Sequence, residues 1–293
     1  MVALTSCGFL PSLLVTASGS ESINFWQALV MGFVQGLTEF LPISSSAHLR
    51  VIPAILGWPD FGASFTAVIQ LGSLVAVLIY FREDLRRVLT GTVAALQKQE
   101  FESEEFKIFL GVTIGTLPIL FAGAVIKKLF GEPTRNLIVI ALTSIGLALL
   151  LGLAERYGRR NRTLKDIRVL DGILVGIGQA VALIPGVSRS GSTITTALFL
   201  GLERQVAARF SFLLGIPALF LAGVVEAVTE VKGFSSLPPL LVGTVSAFVF
   251  SYLSIDWLLK FLQRSSTLVF IIYRILFGLF LLTCIQFGWL SPL

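Results

Sequence analysis

Residues 185–200 read PGVSRSGSTITTALFL, and residues 35–50 read QGLTEFLPISSSAHLR. Each stretch interrupts an apolar segment with a proline, a cluster of serines and one or more charged residues. Because proline ends a helix and serine caps the next one, each stretch predicts two half-length helices that meet at a break. Two broken helices at matching places in a chain are typical of membrane proteins built from inverted repeats.

The composition of the chain is that of a membrane protein. Of its 293 residues, 55% are hydrophobic and 13% are charged, whereas soluble domains carry about 25% charged residues. Long apolar runs between short basic loops predict an all-α polytopic membrane protein, because the runs are too long for the strands of a barrel. The basic residues lie in the loops, so we expect the bilayer as a partner and no binding of nucleic acid.

Six apolar runs besides the two broken stretches are each close to the ~20 residues that cross the hydrocarbon core. They lie at about 62–81, 108–128, 134–154, 205–229, 238–261 and 267–290. Broken, re-entrant segments lie at 23–57 and 169–201. These segments open a first repeat over 22–168 and a second repeat over 169–293. Residues 1–21 are interpreted as a variable N-terminal extension.

The two breaks align with each other along the chain. GFVQGLTEFLPISSS (32–46) matches GIGQAVALIPGVSRS (176–190) at an offset of 144 residues with one single-residue gap, which places Ser44 on Ser188. The shared order and spacing predict two inverted-topology repeats. Each repeat would contain a re-entrant broken helix pair followed by three transmembrane helices.

The positive charges predict an orientation for this arrangement. Lys and Arg collect in the loops at 82–107 and 155–168, which are therefore assigned to the cytoplasm. Three spans in each half put the two halves in opposite orientations. The breaks then enter from opposite sides and meet near the midplane of the bilayer, where such folds place their sites.

The second break has the residues of a phosphate site. A charge at the centre of a membrane helix costs roughly 2.5–3.5 kcal/mol, so Arg189 is expected to face the bundle interior or a wet cavity. Ser188 or Ser190 can cap a new helix, whose free N–H groups and positive dipole end attract an anion. Arg189 adds a planar fork suited to phosphate. Gly191 allows a ligand to approach the backbone.

The first break supplies a candidate carboxylate. Gln35 and Glu39 are four residues apart, so they share one face of a helix. Glu39 lies within an apolar run and is expected to face a cavity, where it could hold a divalent cation that also binds substrate phosphate. Gln35 is the weaker metal ligand of the two, because its amide carries no charge.

A serine cluster and a histidine complete the first break. Ser44, Ser45 and Ser46 are expected to cap the second half-helix. His48 is the only histidine of the chain and lies four residues after Ser44 and three after Ser45. A serine beside a histidine can become a nucleophile, or the histidine can deliver a proton to a leaving group.

Tyr273 and Arg274 form an unexpected polar pair inside the last apolar run, and both are expected to be buried. Arg274 could act as a second phosphate clamp, in which case it would contact the substrate. It could equally be a structural residue that pairs with an ion inside the bundle. The sequence does not distinguish between these two roles.

These motifs resemble the undecaprenyl-diphosphate phosphatase family, the bacitracin-resistance proteins of bacterial membranes. QGLTEFLPISSSAHL (35–49) is similar to the first signature of that family, and PGVSRSG (185–191) is similar to the second. Three shorter stretches are also similar, namely IQLGS (69–73), FSFLLGIP (210–217) and YR (273–274). The resemblance covers about residues 22–290.

The resemblance implies a hydrolase that removes the terminal phosphate of a C55 polyprenyl diphosphate and so regenerates the lipid carrier of cell-wall synthesis. It also implies a multi-pass protein of the bacterial plasma (inner) membrane, with its active site facing the periplasm and with Mg²⁺ or Ca²⁺ as the cofactor. A homodimer is a further expectation. Many members have Glu where this chain has Gln35, so this chain offers one carboxylate fewer to the cation.

By matching positions, the resemblance implies an essential set of Glu39, Ser45, His48 and Arg189. It implies that the substrate is bound with the support of Ser44, Ser46, Ser188 and Ser190. Two questions stay open at the level of sequence. Ser45 could attack the phosphorus with help from His48, or His48 could attack while Ser45 orients it. An inverted-repeat transporter or flippase of a phosphorylated lipid or anion is the alternative function, because broken helices also occur in transporters.

Overall fold

The computed structural model describes residues 23–130, 136–230 and 237–292, and the predicted extension at 1–21 lies outside them. The described residues form eleven α-helices and one short 3₁₀ turn at Leu164–Asp166. The helices are α1 (Phe25–Phe40), α2 (Ser45–Leu56), α3 (Gly62–Tyr80), α4 (Arg82–Lys98), α5 (Glu104–Phe130), α6 (Leu137–Tyr157), α7 (Val169–Val181), α8 (Arg189–Phe199), α9 (Arg204–Glu230), α10 (Leu237–Arg264) and α11 (Leu268–Gln286).

Several of these helices are suited to a membrane. Within the described ranges, the five helices α5, α6, α9, α10 and α11 are long and apolar enough to cross a bilayer. Helices α3 and α4 are bent by 65° relative to each other and together make a sixth candidate span. The all-α polytopic class that the sequence predicts is therefore confirmed.

Both predicted breaks separate two helices close to a proline. Helix α1 ends at Phe40, two residues before Pro42, and α2 follows after a short turn. Helix α7 ends at Val181, four residues before Pro185, and α8 follows in the same way. Because the proline nitrogen cannot donate a helical hydrogen bond, each chain segment turns here before the next helix begins.

The structure differs from the sequence analysis at 82–107, where a loop is expected and helix α4 is found. One face of α4 is buried through Val88 and Ala95, while a neighbouring flank exposes Leu89 and Val93. The sequence alone does not predict α4 as a span, because its charged side chains keep its mean hydropathy low.

Helix α1 of the first predicted repeat packs along α10 of the second. The contact is close because small residues face each other. A Cβ atom added to Gly32 would lie 2.1 Å from the carbonyl oxygen of Gly243, and one added to Gly36 would lie 2.6 Å from that of Ala247. Small residues four apart are the usual means by which membrane helices approach each other.

Helix α7 of the second repeat packs in the same manner along α5 of the first. A Cβ atom on Gly176 would lie 2.0 Å from the carbonyl oxygen of Gly115, and one on Gly172 would lie 2.3 Å from that of Gly111. Each half of the chain therefore holds the leading half-helix of the other. This exchange suits two related halves, and their inverted orientation in the membrane stays a prediction.

Arg162 fixes the start of α7. Its guanidinium donates to both carboxylate oxygens of Asp171, at 3.0 and 2.5 Å, and to the carbonyl oxygen of Leu200 at 2.9 Å. The hydrogen bonds from Arg162 to Asp171 raise the pKa of the guanidinium above its ordinary value. Asp171 also accepts from the backbone N–H of Arg168 at 2.7 Å, as a helix-start acid does. These contacts anchor the N-terminal end of α7, which is the first half of the second broken segment.

The largest cluster of buried hydrophobic side chains lies beside the breaks. It joins Phe40 at the end of α1 to Ile194 of α8, Phe212 of α9 and Ile255 of α10. The rings of Phe40 and Phe212 meet edge to face with their centroids 5.2 Å apart. The polar residues of the two breaks consequently rest on a packed apolar core that holds their positions.

Candidate active site

The two breaks have the same local geometry. Ser44 and Ser188, which the alignment matches, precede α2 and α8 with φ angles of 78° and 73°. These angles lie in the left-handed region, which residues other than glycine rarely adopt and which often marks functional sites. The hydroxyl of Ser44 lies 3.2 Å from that of Ser46, and the hydroxyl of Ser188 lies 3.2 Å from that of Ser190.

Side chains from both breaks converge on Glu39, which is 8% exposed. Arg189 of the second break donates to the Oε1 atom of Glu39 at 2.8 Å. Ser45 of the first break donates to the Oε2 atom at 2.7 Å, and the Gln35 amide donates to the same oxygen at 3.0 Å. The structure thus brings together the two breaks that the sequence predicts to meet.

Further contacts fix the second break at this point. The Ser190 hydroxyl donates to the carbonyl oxygen of Leu41 at 2.9 Å, which joins the second break directly to the first. Arg189 also donates to the carbonyl oxygen of Gly215 on α9 at 2.9 Å. A Cβ atom at Gly215 would lie 2.9 Å from the Arg189 guanidinium, so this glycine makes room for the arginine.

The serines cap only one of the two half-helices. Ser188 accepts from the backbone N–H of Gly191 at 3.1 Å, which caps α8 as expected. Ser44 makes no capping hydrogen bond to α2, contrary to the expectation from sequence. The two serines share their left-handed backbone and their contact with the second residue on, so they differ only in the cap. The first turn of α2 therefore has no side-chain cap.

His48 is buried and both of its ring nitrogens have partners. Its Nδ1 atom lies 2.7 Å from the carbonyl oxygen of Ser44, and its Nε2 atom lies 2.6 Å from the hydroxyl of Tyr273. The hydroxyl of Ser45 is directed to Glu39 instead. The predicted pairing of Ser45 with His48 is thus not made in this arrangement, and both assignments of the nucleophile stay open.

Tyr273 is the site residue whose position the sequence does not predict. It is 41% exposed, so the expectation of burial for the Tyr273–Arg274 pair holds only for Arg274, which is 0% exposed. The two polar residues inside the last apolar run are the signal that marks this part of α11. Nothing in their spacing links Tyr273 to His48, because 225 residues separate them.

Among the described residues, Arg274 binds backbone carbonyl groups and no carboxylate. It donates to Pro42 of the first break at 3.2 Å, to Gly186 of the second break at 2.9 Å and to Ser144 of α6 at 3.1 Å. Full burial and these partners favour the structural alternative over the phosphate clamp. These partners are neutral carbonyl groups, whereas the structural role expected from the sequence is pairing with an ion. Arg274 holds the two breaks together through their backbones.

Gln35 leaves one polar atom available beside Glu39. Its amide nitrogen donates to Glu39 and, at 3.3 Å, to the hydroxyl of Ser73, which also accepts from Ser251 at 2.8 Å. Its Oε1 atom is buried and has no hydrogen-bond partner among the described residues. The same residues contain no group of three His, Cys, Asp or Glu side chains that could hold a metal ion.

The fold and the site together define a class of protein. It is a polytopic helical membrane protein in which two broken helices join a carboxylate, a guanidinium and serine hydroxyls inside the bundle. The family model described as "Bacitracin resistance protein BacA" matches residues 28–280. The chain belongs to this family, as the sequence motifs predict.

Similar curated proteins support the same assignment. A protein of a Synechococcus species, named undecaprenyl-diphosphatase, is 61% identical over 269 residues, which are 92% of this chain and 97% of the relative. A protein of the same name from Gloeobacter violaceus is 56% identical, with 93% of this chain and 96% of the relative covered. Another from Synechococcus elongatus is 52% identical, with 95% and 99% covered.

Proposed function

We propose that this protein is an integral membrane hydrolase that removes the terminal phosphate of undecaprenyl (C55) diphosphate, giving undecaprenyl phosphate and inorganic phosphate. The observation that carries the proposal is the contact of Arg189 and Ser45 with one buried carboxylate, Glu39, where two broken helices meet. The name shared by the similar proteins supports this substrate. The product is the carrier lipid that peptidoglycan synthesis reuses, and its recycling confers bacitracin resistance.

The chemistry of the proposed reaction follows from these contacts. Phosphoryl transfer depends mostly on positioning and on the stabilisation of charge, and the Arg189 guanidinium is suited to phosphate oxygens. Ser45 attacks the terminal phosphorus and its proton passes to Glu39, whose Oε2 atom lies 2.7 Å from the serine oxygen. The bond from phosphorus to the bridging oxygen breaks and undecaprenyl phosphate leaves. Water then releases inorganic phosphate from Ser45.

A divalent cation, Mg²⁺ or Ca²⁺, belongs to the proposal. Mg²⁺ is usually bound by one or two carboxylates together with the phosphates of the substrate. Glu39 supplies a carboxylate, and the unpaired Oε1 atom of Gln35 supplies a second oxygen donor beside it. Two protein ligands are enough for such a cation, because its other ligands come from the substrate and from water. When bound, the cation supplies positive charge that stabilises the phosphate in the transition state.

We further propose that the protein resides in the bacterial plasma membrane with this site open to the periplasm. The basic residues at 82–107 and 155–168 support a cytoplasmic location for those segments. The first break then opens on the opposite side, as required for a lipid diphosphate that is recycled outside the cytoplasm. Assembly into a homodimer stays an expectation.

Phosphate release by the purified protein in detergent tests the proposal. Wild type is expected to release phosphate from undecaprenyl diphosphate, to lose this activity with EDTA and to regain it with Mg²⁺ or Ca²⁺. Arg189→Ala and His48→Ala are each expected to reduce the rate by about 100-fold or more. Arg264→Ala, at an exposed arginine of α10, is the matched control and should retain the rate.

Two results would overturn the proposal. Full activity in both Arg189→Ala and His48→Ala would mean that the site lies elsewhere. No release by wild type in the presence of either cation would favour the alternative, a transporter or flippase of a phosphorylated lipid or anion. Retained activity after EDTA would remove the cation from the mechanism without affecting the rest.

A further inference from the structure

The contact between Tyr273 and His48 joins the last helix of the chain to the first break. The tyrosine hydroxyl lies 2.6 Å from the Nε2 atom of His48, although 225 residues separate the two. Tyr273 is 41% exposed, whereas His48 is 5% exposed. The tyrosine therefore lies between a buried imidazole and the surroundings of the protein.

The partners of the imidazole decide which nitrogen carries the proton. The carbonyl oxygen of Ser44, 2.7 Å from Nδ1, can only accept a hydrogen bond, so Nδ1 of His48 carries the hydrogen. The Nε2 atom of the neutral ring is then an acceptor, and the Tyr273 hydroxyl donates to it. The Ser44 carbonyl thereby selects the Nδ1–H tautomer, and the Tyr273 hydroxyl is the partner of the Nε2 lone pair.

Aromatic packing fixes the plane of the same ring. The imidazole of His48 stacks on Phe277 at a centroid distance of 4.6 Å with an interplanar angle of 12°. Tyr273 is nearly parallel to both rings, at 14° to His48 and 9° to Phe277. Arg274, the residue after Tyr273, ties α11 to the backbones of both breaks. These contacts together fix the position of the Tyr273 hydroxyl relative to the imidazole of His48.

We propose that Tyr273 is a positioning residue of the phosphatase site, whose hydroxyl donates to the Nε2 atom of His48 and so supports the Nδ1–H tautomer that the Ser44 carbonyl selects. Since the Nδ1 atom is bound to the carbonyl oxygen of Ser44, Nε2 is the nitrogen of His48 that is left for exchanging a proton. Tyr273 lies directly on that exchange path. The catalytic part of this inference rests on the proposed function, and the part about the tautomer does not.

The tautomer can be measured because the chain has one histidine. In protein labelled with ¹⁵N-histidine, the two ring nitrogens give one pair of signals that is free of overlap. Wild type is expected to show a protonated Nδ1 and an unprotonated, hydrogen-bonded Nε2. Tyr273→Phe keeps the ring stack and removes the hydroxyl. It should shift the Nε2 signal, while Nδ1 stays protonated against the carbonyl oxygen of Ser44.

The matched control is Tyr252→Phe on α10, whose side chain is 39% exposed and packs on the ring of Tyr80. This variant should leave both histidine signals unchanged. A wild-type spectrum with the proton on Nε2 would overturn the proposal. A Tyr273→Phe spectrum identical to that of wild type would also overturn it. Neither outcome depends on whether the protein hydrolyses a diphosphate.

Kinetics test the catalytic part. Tyr273→Phe is expected to lower kcat about tenfold, as for the loss of one well-placed hydrogen bond, while KM changes by no more than about twofold. Tyr252→Phe should retain both constants. An unchanged kcat in Tyr273→Phe overturns the positioning role, whatever its spectrum. If wild type itself has no activity, the proposed function fails and the spectra alone decide on the tautomer.

Discussion

Glu39 receives hydrogen bonds from both breaks, and its two carboxylate oxygens have different partners. Oε1 faces the Arg189 guanidinium, and Oε2 accepts the hydroxyl of Ser45. A buried carboxylate needs such partners, because an unpaired charge in the bundle is costly. The arginine balances the charge of the carboxylate at Oε1, while Oε2 accepts from Ser45 and from the Gln35 amide and is the oxygen placed to take the serine proton.

This arrangement predicts a covalent intermediate. Rapid acid quenching during turnover should trap a phospho-enzyme, and peptide mapping should place the phosphate on Ser45. Glu39→Gln cannot accept the proton, so it should form the intermediate about 100-fold more slowly. Gln97→Glu, an exposed polar exchange on α4, is the control and should form it at the wild-type rate.

Phosphate mapped to His48 would contradict the choice of nucleophile and favour the reverse assignment. The absence of any adduct would indicate direct attack by water. Both results would still leave Glu39 and Arg189 at the centre of the site, so the experiment separates the mechanism from the location.

At the residue scale, the sequence predicts the members of the site better than their contacts. Glu39, Ser45 and Arg189 can be found because each flanks a proline break in an otherwise apolar run. The hydrogen bond from Tyr273 to His48 cannot be found in this way, because no sequence motif links helix α11 to the first break. The partners of Arg274 are backbone carbonyls, which any sequence offers and which leave no signal in side-chain patterns.

Among the elements, the half-helices α1 and α7 are held by glycine faces against α10 and α5. These contacts put backbone against backbone, so even one methyl group is too large. The stability of each broken segment therefore depends on residues that carry no side chain. The sequence contains these glycines, but their partners on other helices are a property of the packing and have no local signature.

Gly176→Ala tests this dependence. Its Cβ atom would lie 2.0 Å from the carbonyl oxygen of Gly115, so α7 must move away from α5. The expected cost is about 1–3 kcal/mol in the free energy of unfolding, as for overpacking of a tight core. Thermal unfolding in detergent measures it as a lower Tm.

The matched control is Gly146→Ala on α6, where a Cβ atom would meet nothing within 4 Å. There the substitution should leave Tm unchanged or raise it slightly, because alanine favours a helix over glycine. Equal Tm values for the two variants would contradict the tight packing of α7.

Helix α4 adds a second lesson at this scale, since hydropathy finds apolar spans and overlooks an amphipathic helix.

For the molecule as a whole, the distribution of basic residues predicts which side faces the cytoplasm. The turn that contains Pro59, between α2 and α3, should face the periplasm, whereas Gln97 at the end of α4 should face the cytoplasm. A background without Cys7 and Cys284 allows single cysteines to report this. Pro59→Cys should react with a membrane-impermeant thiol reagent in intact cells, and Gln97→Cys only after permeabilisation.

Labelling of Gln97→Cys in intact cells, with Pro59→Cys protected, would reverse the predicted orientation. The spans and the class of the protein follow from the sequence because burial in lipid imposes an apolar length on each helix. The exchange of half-helices between the two halves does not follow, because hydropathy records which residues avoid water and does not record their neighbours.

That exchange has a consequence for biogenesis. The ribosome delivers α1 at the start of synthesis, yet the helix against which it packs is complete only when translation has passed Arg264. Until then the glycine face of α1 is without its partner, and the insertion machinery or lipid must cover it. The buried carboxylate of Glu39 is thus made early and receives its final surroundings among the last events of assembly.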